Sequence, residues 1–83
     1  MKVMATMKLD PARRPEILAH VAAEQARVRE LRTEGKIDAL HITQAQDRAW
    51  LVLSVATEDE ARQIMESLPL HAYSTIDLAP LAE

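Results

Sequence analysis

The sequence predicts an α+β domain whose strands and helices follow one another in the order β-α-β-β-α-β. Three observations predict this class: four segments have the residue pattern of strands, two have apolar residues at helical spacing, and prolines and the single glycine separate them. The 83 residues are enough for one domain, residues 1–83, with one small core. Because cysteine is absent, neither disulfides nor thiolate metal sites can stabilise that core, and self-association is the remaining common means.

The first half of the chain predicts a strand followed by a long helix. Residues 2–9 alternate in polarity, and the apolar side chains on one face are Val3, Ala5, Met7 and Leu9. Pro11 ends the strand, and Pro15 suits the first turn of a helix, where its missing N–H costs nothing. Apolar residues at positions 17, 21, 28 and 31 continue this helix for about 20 residues, until Gly35 provides a left-handed C-terminal residue.

The second half predicts a hairpin, a helix and a final strand. Residues 36–43 form a strand, with positions 37, 39 and 41 on one face and positions 40 and 42 on the other. A polar connection at 44–47 leads to residues 49–55, which are apolar on both faces and therefore central in the sheet. Thr57 and Glu60 form a capping box for the second helix, Pro69 ends that helix, and residues 73–79 form the last strand.

This order is that of the ferredoxin-like fold, a four-stranded antiparallel sheet with two helices on one face. The other face is then bare, and strand parity decides which apolar side chains it exposes. The candidates are Met4, Leu40, Ile42, Trp50 and Val52. A patch of this kind usually marks an interface. We therefore expect a homodimer, or a higher homo-oligomer, in which two sheets pack face to face as a dimeric α+β barrel.

Composition excludes several classes of function. A net charge of −3 argues against a nucleic-acid partner, which would require a basic surface. No apolar segment approaches the roughly 18 residues of a membrane span, and the first residues do not form a signal peptide, so we expect a cytoplasmic protein without a membrane partner. One glycine cannot build a phosphate-binding or dinucleotide-binding loop.

Glu24 is the first candidate for chemistry, because it interrupts the apolar stripe of the long helix. A carboxylate on a face turned towards a sheet is costly unless it is paired or lines a cavity. His20 and Arg27 lie about one turn away on either side, so one interpretation is an ordinary cluster on the helix surface. The other interpretation is a catalytic base in a pocket, with a pKa raised by burial.

The three histidines are His20, His41 and His71, and their spacing matches no metal-binding motif, so we predict no metal site. A single histidine in a strand, as predicted for His41, is commonly a packed or rim residue. Histidine is nevertheless the side chain best suited to moving a proton near neutral pH. His20 and His41 are therefore kept beside Glu24 as catalytic candidates.

Trp50 and Tyr73 are the only aromatic residues, and Arg48 is a cation close to Trp50 in sequence. These residue types are enriched at subunit interfaces, which is one interpretation. The other is a wall that binds the ring of a small organic acid, with Arg48 as the counter-charge. No serine has a base and an orienting residue beside it, so covalent catalysis has no support in the sequence.

The end of the chain resembles a known family. Leu68-Pro69-Leu70-His71-Ala72-Tyr73, followed by Ile76 and Leu78, resembles the Leu-Pro-Leu-x-x-Tyr ending of the muconolactone delta-isomerase family. The similarity continues upstream without a gap to Glu24 and covers Leu31, Glu34-Gly35, Leu40 and residues 50–55. Two positions differ from the family pattern. His41-Ile42 stands where the family tends to have a Trp-Arg pair, and Ala45 stands where it tends to have a hairpin glycine.

The resemblance implies a small isomerase without a cofactor, assembled as dimers or larger rings, that moves a proton alpha to a carbonyl of a lactone in aromatic-acid breakdown. The predicted proton carrier is Glu24 or a histidine. The expected substrate-binding residues are Arg48, Trp50, Tyr73 and His71. Two alternatives remain open. One is a cofactor-free monooxygenase of the antibiotic-biosynthesis type, which shares the dimeric barrel, and the other is a non-catalytic small-molecule-binding or assembly domain, favoured by the absent Trp-Arg pair.

Overall fold

Four strands form one antiparallel sheet in the order β2-β3-β1-β4 in a computed structural model that describes residues 1–82. The elements are β1 (Lys2–Leu9), α1 (Arg14–Thr33), β2 (Ile37–Ile42), β3 (Arg48–Ser54), α2 (Glu58–Glu66) and β4 (Ser74–Pro80). Short 3₁₀ turns at Pro11–Arg13 and Pro69–Tyr73 precede α1 and β4. The structure confirms the predicted element order and the ferredoxin-like fold, and it places β3 in the interior of the sheet as expected.

The core lies between the sheet and the two helices. Alternate residues of the central strands face it and are almost fully buried: Val3, Ala5 and Met7 of β1, and Ala49, Leu51 and Leu53 of β3. Leu31 closes the core from α1, while Ala61, Ile64 and Met65 close it from α2. The alternate residues of the strands therefore pack against the apolar faces of the helices on one side of the sheet, as the sequence pattern predicts.

β2 departs from strict alternation. Its register against β3 shifts between Ile37, which pairs with Leu53, and Ala39, which pairs with Val52. This bulge turns Ile37 to the core face together with Leu40 and Ile42. The sequence prediction that put Ile37 on the same face as Ala39 and His41 is therefore wrong. Strict alternation of side chains along a strand assumes that no residue is inserted, so it cannot predict the extra residue of a bulge in this edge strand.

The left-handed Gly35 after α1 and the Thr57 N-cap of α2 are confirmed, but the Glu60 carboxylate accepts from the Ala56 N–H at 3.4 Å and not from the Thr57 N–H of a capping box. Gly35 has a φ of 76°, and its N–H and that of Lys36 donate to the carbonyl oxygens of Arg32 and Leu31 at the end of α1. The Thr57 side chain accepts a 3.1 Å hydrogen bond from the Glu60 N–H at the start of α2. A hydrogen bond from the Lys36 ammonium lowers the pKa of Glu60.

The face of the sheet opposite the helices carries Met4, Trp50 and Val52 at its centre, each partly buried by its neighbours. Leu40 and Ile42, the other two candidates for this face, belong instead to the helix side, because they pair with the core-facing Leu51 and Ala49. Among residues 1–82, neither helix is long and apolar enough to cross a membrane.

Candidate functional site

A cavity of about 570 Å³ separates the N-terminal half of α1 from the ends of the strands below it. Its wall is mostly apolar and includes Ile17, Val21 and Leu70. Near the other end of α1, Leu31 is fully buried against the sheet, whereas Leu18 and Ile42 at the cavity are each 60% exposed. The helix therefore packs tightly at one end and leaves room for a ligand at the other, within the size range of small-molecule sites.

Glu24 lies on the wall of this cavity and is half-buried. Among residues 1–82, its carboxylate accepts one hydrogen bond, from the Leu70 N–H to Oε1 at 3.0 Å. Every side-chain oxygen or nitrogen of these residues that is shielded from solvent has a hydrogen-bond partner. Oε2 accepts no hydrogen bond from them, so it must remain accessible to solvent. Burial raises the pKa of Glu24, and the Leu70 N–H opposes that rise.

The surface-cluster interpretation of Glu24 does not describe its surroundings. Arg27 contacts Ser67 and Glu30 instead, at 3.1 and 3.3 Å. The Nδ1 atom of His20 lies 2.7 Å from the carbonyl oxygen of Glu16, within the same helix. Neither residue forms a pair with Glu24, whose carboxylate is turned towards the cavity wall and the Leu70 backbone.

Cationic side chains surround the rest of the cavity. Lys8 comes from the end of β1, Arg14 from the first turn of α1, and Arg48 from the start of β3. Asp10 and Asp47 also line it, but each is engaged locally: Asp10 accepts from the Ala12 N–H, and Asp47 lies 2.6 Å from the Thr43 hydroxyl. The lining thus holds three cations and, with Glu24, three carboxylates, so an anionic group of a ligand can bind only beside the cations, with its apolar part against α1.

Tyr73 and His20 lie together, and neither lines this cavity. Their ring centroids are 5.4 Å apart, and the Arg13 guanidinium carbon is 4.9 Å from the Tyr73 ring centroid. Tyr73 lines an adjoining surface depression of about 340 Å³, which shares the residues 8–11 with the cavity. The structure therefore joins these two predicted site residues to each other and not to Glu24.

Trp50 and His41 face each other across the bare side of the sheet, where their backbones are paired in the β2–β3 ladder. The Arg48 guanidinium carbon lies 5.9 Å from the Trp50 ring centroid, so Arg48 contacts both the cavity and the bare face. His71 lines a small depression of about 120 Å³ between α2 and β4. Of the predicted site residues, the structure brings only Glu24 and Arg48 to one cavity.

Sequence reasoning did not identify Arg14, Lys8 or the Leu70 N–H as parts of this site. Lys8 and Arg14 belong to no recognisable motif, because charged residues are common at the ends of strands and helices. The Leu70 N–H is a backbone group, 46 residues from Glu24, and only the tertiary fold brings it there. Among residues 1–82, no three histidine or acidic side chains are grouped so as to hold a metal ion.

Comparisons with known proteins agree with this fold. The family model for muconolactone delta-isomerase matches residues 1–83, and no curated protein matches the chain. Nine chains of solved structures match it. One is 5-chloro-2-hydroxyhydroquinone dehydrochlorinase from Burkholderia phenoliruptrix AC1100, in complex with 2,5-dihydroxybenzoquinone. It is 16% identical, with a TM-score of 0.84 over 99% of this chain and 94% of that chain.

Proposed function

This chain belongs to the muconolactone delta-isomerase family, and from that membership we propose that it is a cytoplasmic, cofactor-independent isomerase that moves a proton within a small lactone or carboxylated metabolite. Muconolactone is the first substrate to test, because it is the substrate named by the family. The observation that carries the proposal is a half-buried carboxylate on the wall of a cavity of about 570 Å³.

Glu24 has the properties of a general base for this reaction. The Leu70 N–H holds Oε1 at 3.0 Å, so Oε2 is the oxygen that can accept a proton. Burial raises the pKa of Glu24 above that of an ordinary glutamate and so makes its carboxylate a stronger base. The carboxylate removes a C–H proton that is acidified by conjugation with the substrate carbonyl, giving an enolate and a neutral Glu24. Oε2 is accessible to solvent, so this proton can exchange before Glu24 delivers a proton to the carbon alpha to the carbonyl, which shifts the double bond and restores the carboxylate.

The remaining walls fit an anionic substrate with an apolar ring. Arg48 and Arg14 supply positive charge for a carboxylate or an enolate oxygen, and Ile17, Val21 and Leu70 offer apolar surface to the ring. Charge that develops on the enolate is stabilised by these cations more strongly than in water, because the apolar wall lowers the local dielectric constant.

The proposal also includes a homodimer or a larger homo-oligomer formed through the bare face of the sheet. That face has an apolar centre of Met4, Trp50 and Val52 in a chain that is small for an independent core. In such an assembly His41 and Trp50 lie at the interface, and Arg48, which contacts Trp50, connects the interface to the cavity.

The proposal is tested by incubating the protein with muconolactone, and with a panel of related carboxylated lactones, in D₂O. Proton NMR should show deuterium entering the carbon alpha to the carbonyl together with formation of the isomer. Glu24→Gln should lower this rate by roughly 10²- to 10⁴-fold, the usual contribution of a general base. Glu30→Gln is the matched control, since Glu30 lies on the same helix with an exposed side chain.

Two results would contradict this function. One is a Glu24→Gln variant that exchanges deuterium as fast as the unmodified protein. The other is binding of lactones without exchange, measured by calorimetry on the same panel, which would support the non-catalytic small-molecule-binding domain instead.

A further inference from the structure

We propose that residues 68–73, called here the Leu-Pro-Leu segment, form a positioning element whose turn presents the Leu70 N–H to Glu24 Oε1 and so keeps Oε2 facing the cavity. The role in catalysis rests on the proposed function, but the positioning itself is a property of the folded chain. This role gives a physical reason for the Leu-Pro-Leu-x-x-Tyr motif, although the motif is distant from Glu24 along the chain.

The turn is built so that the Leu70 N–H points outward. Leu68 has an extended backbone, and Pro69 begins the 3₁₀ turn with a fixed φ and no N–H of its own. The His71 N–H closes the turn by donating to the Leu68 carbonyl oxygen at 2.9 Å. The Leu70 N–H belongs to the first turn, where no carbonyl of the helix precedes it, and it requires an acceptor from elsewhere. Glu24 provides that acceptor.

Several contacts fix this turn against α1. The Leu70 side chain is 7% exposed, so the residue cannot rotate without losing buried apolar surface. The Tyr73 ring packs against His20, which lies one helical turn before Glu24. The Tyr73 carbonyl oxygen accepts a 2.9 Å hydrogen bond from the Asp10 N–H. The segment is therefore held to α1 and to the end of β1 at the same time.

No charged side chain takes the place of the Leu70 N–H. The charged groups that line the same cavity are Lys8 of β1, Asp10 before α1, Arg14 of α1, and Asp47 and Arg48 at the start of β3. The nearest titratable groups on α1 itself, His20 and Arg27, contact other partners. Burial is the main influence on the pKa of Glu24, and the only opposing influence is the backbone of Leu70.

The test replaces the Leu70 amide N–H by an ester oxygen in the full-length chain, which is short enough for chemical synthesis with a ¹³C label in the Glu24 carboxyl group alone. The side chain of Leu70 is retained, so only the donor is removed. Carbon NMR titration should then give a higher pKa for Glu24 than in the all-amide chain, because the ionised form has lost its hydrogen bond. With an active substrate, kcat should fall roughly 10- to 100-fold, with a smaller change in KM.

The matched control is an ester at Leu81, which removes the 2.9 Å hydrogen bond to the Lys2 carbonyl oxygen at the end of β1 opposite the cavity and leaves the Leu-Pro-Leu segment intact. This control should keep the Glu24 pKa close to that of the all-amide chain. An unchanged pKa in the Leu70 ester, or an equal rise in both esters, would overturn the positioning role. Because the titration needs no substrate, a shifted pKa without isomerase activity would contradict the proposed function and leave the positioning role intact.

Side-chain variants keep the inference testable if an ester chain does not fold. Tyr73→Leu removes the ring that packs on His20 and should raise the Glu24 pKa by loosening the turn, whereas Tyr73→Phe keeps the ring and should restore the original value. Equal titration of Glu24 in the two folded variants would contradict the role of the ring in holding the turn.

Discussion

Glu24→Gln should make the protein more stable at neutral pH while it removes the proposed base. Glutamine has the shape of glutamate, and its amide oxygen can still accept the 3.0 Å hydrogen bond from the Leu70 N–H. The substitution therefore removes the charge without creating a cavity. A half-buried carboxylate that forms no ion pair with Arg27 or His20 loses more hydration than its one hydrogen bond returns.

The pH dependence follows from the direction of the pKa change. Burial raises the pKa of Glu24 in the folded state, so the folded chain binds this proton more tightly than the unfolded chain does. The stability that this tighter proton binding adds to the fold is fully present below pH 4.5, the ordinary pKa of a glutamate carboxyl. It is lost as the pH rises through the raised pKa of Glu24. Glutamine does not titrate, so the advantage of the variant should be largest at neutral pH and should shrink on acidification.

The size of the effect is on the order of 1 kcal/mol, because the group is only half-buried and solvent screens part of the cost. For a domain of this size, about 1 kcal/mol corresponds to a change in Tm of roughly 4–8 °C. Thermal unfolding followed by circular dichroism between pH 4 and pH 8 measures both quantities. A variant that is less stable than the unmodified protein at pH 7 would refute the reasoning, since that loss would mean that the ionised carboxylate stabilises the fold.

Three further predictions address the rest of the fold. Trp50→Lys should convert an oligomer into a 9.3 kDa monomer, as measured by light scattering, while Gln63→Lys on the outer surface of α2 should leave the oligomer intact. An unmodified protein that is itself monomeric at micromolar concentration would contradict the sheet-face dimer. Gln46 has a φ of 59° in the β2–β3 hairpin, so Gln46→Gly should raise the Tm by a few degrees, and a lower Tm would show that the left-handed backbone carries little strain. Thr57→Ala should lower the stability of the chain by about 1 kcal/mol in denaturant titration, and Thr57→Ser should not; equal midpoints for the two variants would contradict the cap.

The sequence determined the element order, the helix ends and the stripe of α1, because these depend on interactions between near neighbours. Gly35 ends α1 and Thr57 begins α2 through contacts that span a few residues, and such contacts can be inferred from spacing alone. Glu24 was identified for the same reason, since a carboxylate within an apolar stripe is visible without knowing what faces it.

Only the tertiary structure decided what faces that stripe. It brought the Leu70 N–H and Arg48 to the cavity with Glu24, and it placed Tyr73 against His20, outside the lining of that cavity. It also introduced the bulge that turns Ile37 to the core. The spacing of residues within one helix or strand fixes the direction of a side chain relative to its neighbours. The distance between residues 24 and 70 depends instead on how separate elements pack, and no local period in the sequence encodes that distance.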